Sequence, residues 1–301
     1  MQAPSTCAWC GAPLTDATAV PRGLACARCG VITTSPWPDD AELAAAYADA
    51  YRPDSGRFSG PGDALLRRLR GRLATRLDDI APPGPVLDVG AGEGTLLRAL
   101  QARGRTAVGL ERDATAPGMR AAEVTELDPA QEQFAAIVFW HSLEHLREPG
   151  TALDHAVRLL APGGTIVVAV PNAASLQARV FGEDWLALDP PRHLTHIPAR
   201  SLTTRLAEGG LAIERVSHWR GGQVAFGWLH GLVARTTGGD LYDAIRRPEA
   251  RMSPLTAGGR ARALGMGVVL SPIAAMAGVT EVALRRGGSV YVEARAPVGG
   301  P

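Results

Sequence analysis

The sequence predicts an α/β fold built on a parallel sheet, and three observations carry that expectation. First, Val86-Leu87-Asp88-Val89-Gly90-Ala91-Gly92-Glu93-Gly94 is an apolar strand ending at an acid and then a glycine-rich bend. Thr95-Leu96-Leu97-Arg98-Ala99-Leu100 reads as the helix behind it. Gly90, Gly92 and Gly94 let the backbone turn tightly and leave bare amides against a ligand. Second, Phe134 to Trp140 is an unbroken apolar run suited to a strand buried on both faces. Third, the pattern then alternates. Pro149 opens a helix that reaches Leu160, Pro162-Gly163-Gly164 stops it, and residues 165–170 form another strand closed by Pro171-Asn172.

The spacing of the bend narrows its ligand. A dinucleotide loop needs its third glycine three positions after the second, where this chain has Thr95. Asp-x-Gly-x-Gly-x-Gly after a strand instead resembles motif I of the class I S-adenosylmethionine-dependent methyltransferases. Residues 105–110 read as a second strand ending at Glu111, seventeen positions beyond Gly94. An acid at that tip can accept both ribose hydroxyls. Leu143-Glu144-His145-Leu146, a helix, then Leu160-Ala161-Pro162-Gly163-Gly164 and a strand are similar to the same core, and the resemblance covers roughly 83–219. It implies a Rossmann-like sheet and S-adenosylmethionine as methyl donor. It also implies cofactor contacts from Asp88, Gly90, Gly92, Gly94, Glu111 and His141, with Glu126 or Asp128 reaching the adenine. One departure stands out: the family's aspartate after Phe134 is Ala135 here, which removes a brace beside the cofactor.

Composition sets outer bounds. At 301 residues, 46% hydrophobic and 20% charged, the chain can hold one large domain or two modest ones with a sizeable core. A formal net charge of +1 supplies no global field for nucleic acid or an anionic membrane. Lysine is absent, so arginine provides all 31 basic residues and no lysine can serve as a base or Schiff-base nucleophile. The first residues show no basic patch followed by an apolar core, so the expected location is cytoplasmic. Cys7-x-x-Cys10 and Cys26-x-x-Cys29, fifteen residues apart, have the spacing of a four-thiolate zinc ribbon. Paired disulfides or a redox motif are the alternatives. A ribbon this small needs its metal to fold.

The expected domain order follows. Residues 1–38 form the zinc ribbon, closed by Pro36-Trp37-Pro38, and 39–82 a helical connector. The connector holds a helix capped at Asp39 or Asp40 and running through Tyr51, a Gly/Pro/Ser-rich loop, and a helix over 63–80. Leu65, Leu66, Leu69, Leu73 and Leu77 make the apolar stripe of the latter, and its arginines read as a solvated face. Residues 83–220 form the methyltransferase core, with a short strand near 120–124, a helix over 201–209 and a strand over 211–219. Residues 288–301 supply the final strand and tail; Ser289 to Arg295 alternates like a strand, and the resemblance implies that it inserts antiparallel. Between them, 221–287 is a helical insertion or cap. Residues 263–280 carry no charge and Glu281 breaks the run. We read this stretch as one of a helix pair with 226–233, forming a packed cap or a homodimer surface. A peripheral membrane contact through 263–280 is the alternative, because glycines, a proline and few large aliphatics make a true span poor.

The chemistry is expected in loops at the carboxyl ends of parallel strands. Those loops hold His141, Glu144, His145, His193 and His196, four of the seven histidines and one acid, as the catalytic candidates. The segment Pro190-Pro191-Arg192-His193-Leu194-Thr195-His196 resembles a Pro-Arg-His-Leu-x-His element of methyltransferases encoded with glycan and secondary-metabolite pathways. Two mechanisms compete. Neutral His141 or His193 removes a hydroxyl proton, or His141, Glu144, His145 and His196 bind a second divalent ion that acidifies that hydroxyl. The second rests on likeness to methyltransferases of small-RNA ends and quinone biosynthesis, whose first metal-binding glutamate is His141 here. The leading expectation is methyl transfer to a small-molecule or glycan acceptor, most readily at oxygen. The alternatives are a zinc-ribbon RNA methyltransferase, disfavoured by a ribbon with only Arg22 and Arg28 as basic residues, and a non-catalytic cofactor-binding protein.

Overall fold

A computed structural model describes residues 4–47, 61–114, 116–219 and 222–299. The expected end of the first connector helix at Tyr51, and most of the loop after it, lie outside these residues. The chain opens with three short strands, β1 (Thr18–Val20), β2 (Gly23–Ala25) and β3 (Ile32–Thr34), then helices α1 (Asp40–Ala46) and α2 (Pro61–Ile80). Asp39 caps α1, its carboxylate accepting from Glu42 N at 2.8 Å, while Glu42 reaches back to Asp39 N. The core follows as β4 (Val86–Val89), α3 (Thr95–Gln101), β5 (Ala107–Leu110), β6 (Met119–Arg120), β7 (Phe134–Trp140), α4 (Pro149–Arg158) and β8 (Leu160–Pro171). Then come α5 (Leu176–Phe181), β9 (Thr195–His196), α6 (Ala199–Glu208), β10 (Ala212–Ser217), α7 (Gly222–Thr237), α8 (Leu241–Ile245), α9 (Ala257–Ala283) and β11 (Ser289–Arg295).

Seven strands form the central sheet in the order β10-β11-β8-β7-β4-β5-β6. The β8-β7-β4-β5-β6 part is parallel, and β11 inserts antiparallel between β8 and β10. The mostly parallel α/β sheet expected from the sequence is therefore present. Alternate residues of its strands feed two apolar layers. Leu87, Val89, Ile137 and Phe139 pack with Leu153, Leu202 and Leu206 from α4 and α6. Val86, Ala136 and Val138 pack with Leu73 and Leu77 of α2 and Leu96, Leu97 and Leu100 of α3. With helices on both faces, strands rich in Val, Ile and Phe are the composition such a sheet requires.

Several boundaries differ from the sequence reading. Strand β8 starts at Leu160, and Pro162-Gly163-Gly164 lies within it as an irregularity: Phe134 pairs with Leu160 but Ala136 pairs with Thr165. Leu69, expected on the buried stripe of α2, is exposed. The short strand beyond β5 is confined to Met119–Arg120, and a 3-10 turn occupies Val124–Glu126. Glu281, which breaks the uncharged run, is still helical. It lies inside α9, fully buried, where its carboxylate accepts from Gln177 N (2.9 Å), Gln177 Nε2 (2.8 Å) and Trp228 Nε1 (2.9 Å). Three donors compensate the desolvation of that acid and tie α9 to α5 and α7.

The cysteine-bearing segment is not a separate bead. Strand β9, from the loop carrying His193, extends its small sheet to the order β1-β2-β3-β9, with Ile32 opposite His196 and Thr33 opposite Thr195. Ser201 Oγ donates to Cys29 O at 2.6 Å, and Arg205 donates to Trp9 O. Trp9 and Val31 are buried in the same cluster as Leu202 and Leu206.

Candidate functional site

Strand β4 delivers Asp88 and the glycine bend to the carboxyl edge of the sheet. Gly90 and Gly94 favour glycine for different reasons. Gly90 has φ +79° and a Cβ on it would lie 2.4 Å from Ser142 Cβ; Gly94 has φ +69°, a left-handed backbone that glycine adopts without strain. Gly92 also has positive φ, and its N–H donates to Glu111 Oε2 at 2.6 Å. The acid at the tip of β5 is thus drawn across the bend. Asp88 is buried, and burial pushes its carboxyl up to about 6; the Arg70 guanidinium opposes this and the Glu111 charge adds to it. Arg70 lies on α2 with its guanidinium 4.7 Å from the centre of the Trp140 ring. Sequence reasoning misses it by assigning the arginines of that helix to solvent. Glu126 is exposed, and its Oε2 accepts from Glu123 N at 2.9 Å within its own turn. Asp128 likewise accepts from Ala130 N.

The loop after β7 carries the histidine group. His141 stands at the carboxyl end of that strand with φ +54°, a left-handed backbone that a histidine adopts at a cost. Its N–H donates to Ala169 O at 2.7 Å, and the next residue, Ser142, donates through Oγ to Val89 O at 2.5 Å. These bonds fix the ring beside the bend. His141 Nδ1 is 3.3 Å from Glu144 Oε1, while its Nε2 is 3.4 Å from Gln223 Nε2 of α7. Burial works to raise the Glu144 carboxyl, but the His141 hydrogen bond and the nearby His141, His193 and His145 charges outweigh it and hold it at about 2. Glu144 is therefore ionised at neutral pH and selects the tautomer in which His141 Nδ1 carries hydrogen.

His193 donates from Nδ1 to Ala187 O at 2.8 Å and turns Nε2 toward Asp189 Oδ2 (3.6 Å) and Glu144 Oε1 (4.0 Å). His145 lies deeper. Its Nδ1 is 3.0 Å from Arg192 O and 2.9 Å from Tyr47 Oη, so the ring joins α1 to the His193 loop. His196 sits in β9 against the cysteine-bearing sheet, with Nε2 3.4 Å from Thr34 Oγ1 and its ring 6.4 Å from that of Trp185. Burial lowers His145 to about 4 and His196 to about 3, with the neighbouring His193 charge adding to both. Both rings are neutral at pH 7. The unfolded chain gains protons on them below about 6.5 that the native state refuses, so stability falls as pH drops from there toward 4. Urea midpoints measured at pH 7 and pH 5 should show the lower value at pH 5.

Ligand atoms of Glu144, His145 and His193 all lie within 4.8 Å of one another, and Glu144 Oε2 is buried without a hydrogen-bond partner. This trio differs from the metal set expected from the sequence, because His193 joins it while His141 and His196 stand outside. A cavity of about 600 Å³ opens from His141 and His193 to Gln223, Phe226, His230 and Tyr242 of the insertion. Asp184, Asp189 and Asp240 also line it. At the other end of the chain, Cys7, Cys10, Cys26 and Cys29 converge within 4.8 Å. Their Sγ separations of 3.6 Å (Cys7–Cys29) and 3.7 Å (Cys10–Cys26) are far beyond a disulfide and match the edge of a tetrahedron with arms of about 2.3 Å.

A glycine bend against an acid-tipped second strand, beside a histidine-lined cavity on a mostly parallel sheet, defines a nucleotide-type cofactor enzyme of the α/β class. Residues 62–216, just over half of the chain, match the methyltransferase-domain family, and the chain belongs to it. It is an S-adenosylmethionine-dependent methyltransferase. None of the curated proteins matches. Among solved structures, the chain is similar to a SAM-dependent methyltransferase from Archaeoglobus fulgidus, at 14% identity and TM-score 0.47, covering 76% of this chain and 94% of that one. The 1,6-didemethyltoxoflavin-N1-methyltransferase of Burkholderia thailandensis, bound to its acceptor and S-adenosylhomocysteine, is similar at 15% identity and TM-score 0.47, covering 90% and 97%. The plantazolicin methyltransferase BpumL, in complex with SAH, gives 10% identity and TM-score 0.48 over 86% and 91%.

Proposed function

We propose that the protein methylates a hydroxyl of a small-molecule or sugar-containing acceptor in the cytoplasm, with His141 as general base. The observation that carries this reading is the Glu144–His141 pair, whose histidine lines the cavity. Glu144 holds the proton on Nδ1 and leaves Nε2 to take one from a substrate hydroxyl. Gln223 reaches the same nitrogen from the insertion, so an entering hydroxyl replaces that amide. His193, Asp189 and Asp184 offer polar partners, and Trp185, Phe226 and Tyr242 offer flat apolar faces. Aromatic faces combined with carboxylates suit a polyhydroxylated ring.

S-adenosylmethionine supplies an electrophilic methyl group on a sulfonium. On this reading Asp88 faces its ammonium, the bend from Gly90 to Gly94 accommodates its backbone portion, and Glu111 accepts from its ribose. The protein's task is alignment, because an in-line displacement requires acceptor oxygen, methyl carbon and sulfur to be collinear. Cys7, Cys10, Cys26 and Cys29 would hold zinc as a structural ion. A second reading, in which Glu144, His145 and His193 hold another divalent ion, is favoured by the orphaned Glu144 Oε2 alone. Metal analysis of the folded protein separates the two: one zinc per chain supports the base, and two ions per chain support metal assistance. The acceptor class is tested with methyl-labelled donor and fractionated lysate. Label in metabolites or glycans supports the proposal, and label confined to RNA or protein refutes it.

Asp88 supplies a prediction with two opposite signs. Its pKa is raised from the ordinary aspartate value by burial, so ionising it costs stability as pH climbs from about 4 to about 6, and the cost persists above. Asp88→Asn should therefore stabilise the cofactor-free protein at pH 7 by about 1–3 kcal/mol. The same change should weaken donor binding at least about tenfold, through loss of a charged partner. Thermal melting and titration calorimetry on one preparation read both effects.

A further inference from the structure

Among the described residues, helix α9 is covered on one side only. Ala263, Gly267, Ala274, Gly278 and Glu281 face inward, against α7 and α8. The opposite side presents Val268 (75% exposed), Val269 (68%), Ile273, Met276 (69%) and Val279, with no charge from 263 to 280. Those eighteen residues extend for about 27 Å at ~1.5 Å per residue. Isolated apolar side chains on a surface need no explanation, but a continuous strip of this length does.

The charges around the strip indicate what covers it. The chain as a whole is nearly neutral, yet residues 222–287 hold eight arginines against four carboxylates; with the buried Arg246, Asp243 and Glu281 set aside, seven arginines remain against two carboxylates. Exposed Arg260 and Arg262 stand at the start of α9, and exposed Arg285 and Arg286 directly after it. The exposed Trp219 follows His218, which lies against Gly287 just past the helix end. An uncharged strip with cations at both ends and a tryptophan near one end has the chemistry of a lipid interface: aliphatics among acyl chains, guanidinium and indole at headgroup depth. A span is a different matter. The inward face of α9 is small residues packed on protein, and the triple hydrogen bond to Glu281 anchors that face to the core.

We propose that α9 docks the enzyme peripherally on an anionic lipid bilayer, its axis along the membrane surface and its Val268–Met276 face immersed. This places a methyltransferase next to membrane-borne acceptors.

The test is co-sedimentation of the full-length, zinc-loaded protein with phosphatidylcholine vesicles, with and without about a third phosphatidylglycerol, across a salt series. Binding is expected to anionic vesicles and to weaken with salt. Val269→Asp with Met276→Glu should lower the partition coefficient by about tenfold or more, and Arg285→Glu with Arg286→Glu should abolish the preference for anionic lipid. All four positions are exposed, and circular dichroism together with donor affinity checks that each variant folds. Failure of the folded protein to bind anionic vesicles at low salt overturns the proposal, as does unchanged binding by the Val269/Met276 variant. A dimer in sedimentation velocity that this variant dissociates, without vesicle binding, would give the face to a second copy and overturn it too. None of these outcomes depends on the acceptor assignment.

Discussion

Replacing His141 by asparagine should lower kcat by about 10²–10⁴-fold, the ordinary worth of a positioned general base, and leave donor affinity within a few-fold. Asparagine is the informative choice. His141 has φ +54°, and asparagine tolerates the left-handed region better than alanine or any branched residue. The backbone that sets Ser142 against Val89 and the bend is then retained while the proton acceptor is lost. Exogenous imidazole should restore part of the rate, which a purely structural role would not allow. Glu144→Gln tests the other half of the pair. It keeps the shape but removes the charge that orients His141, so kcat should fall with KM for the acceptor little changed. The corresponding change at His196 should act otherwise. That ring is neutral, buried and in contact with the cysteine-bearing sheet, so His196→Gln should cost stability before it costs chemistry. Full activity in His141→Asn would remove the base assignment and move attention to His193.

The parts of this architecture legible in the sequence are those with a local signal. The glycine bend, the continuous apolar β7 and the alternating β11 each announce themselves within ten residues, because backbone sterics and two-sided burial restrict composition at short range. The family resemblance depends on the same stretches, and residues 62–216 match that family. What is not legible depends on partners far along the chain. Arg70 looks like any arginine on an amphipathic helix until α2 is packed over the end of β7, next to Trp140. Gln223 gives no hint in sequence that its amide reaches His141, a contact across 82 residues. Glu281 reads as a break in an apolar run because a lone acid there is costly; the compensating donors, Gln177 and Trp228, are 104 and 53 residues away. Strand β9 is two residues long, too short for any periodicity, and exists only because β3 offers it an edge. The bond from Glu123 N to Glu126 Oε2 is of the other kind, a local side-chain-to-backbone contact within one turn.

That short strand makes loss of the thiolate site a catalytic as well as a structural event. On the proposal that the four thiolates hold zinc, removing the ion with a strong chelator, or replacing buried Cys26 by serine, should remove most of the stability of the first 38 residues, since structural zinc contributes about 10–16 kcal/mol to folding in small thiolate sites. The consequence does not stop there. Thr34 Oγ1 donates to His193 O at 2.7 Å, Thr34 N donates to Leu194 O at 3.0 Å, and β3 pairs with Thr195 and His196. Unfolding the ribbon therefore releases the backbone on both sides of His193 and one wall of the acceptor cavity. The glycine bend belongs to a different sheet, whose β4, β5 and β7 pair only with one another, β6 and β8. Donor affinity should accordingly survive within about tenfold, whereas acceptor turnover should fall by about two orders of magnitude or more, the scale on which misplaced acceptors lose rate. Measuring donor binding by calorimetry and turnover by label transfer, on the same metal-free sample, distinguishes this from general unfolding. Equal loss of both would show that the ribbon holds the whole core together. Retention of both would show that the β3–β9 contact carries nothing to the site.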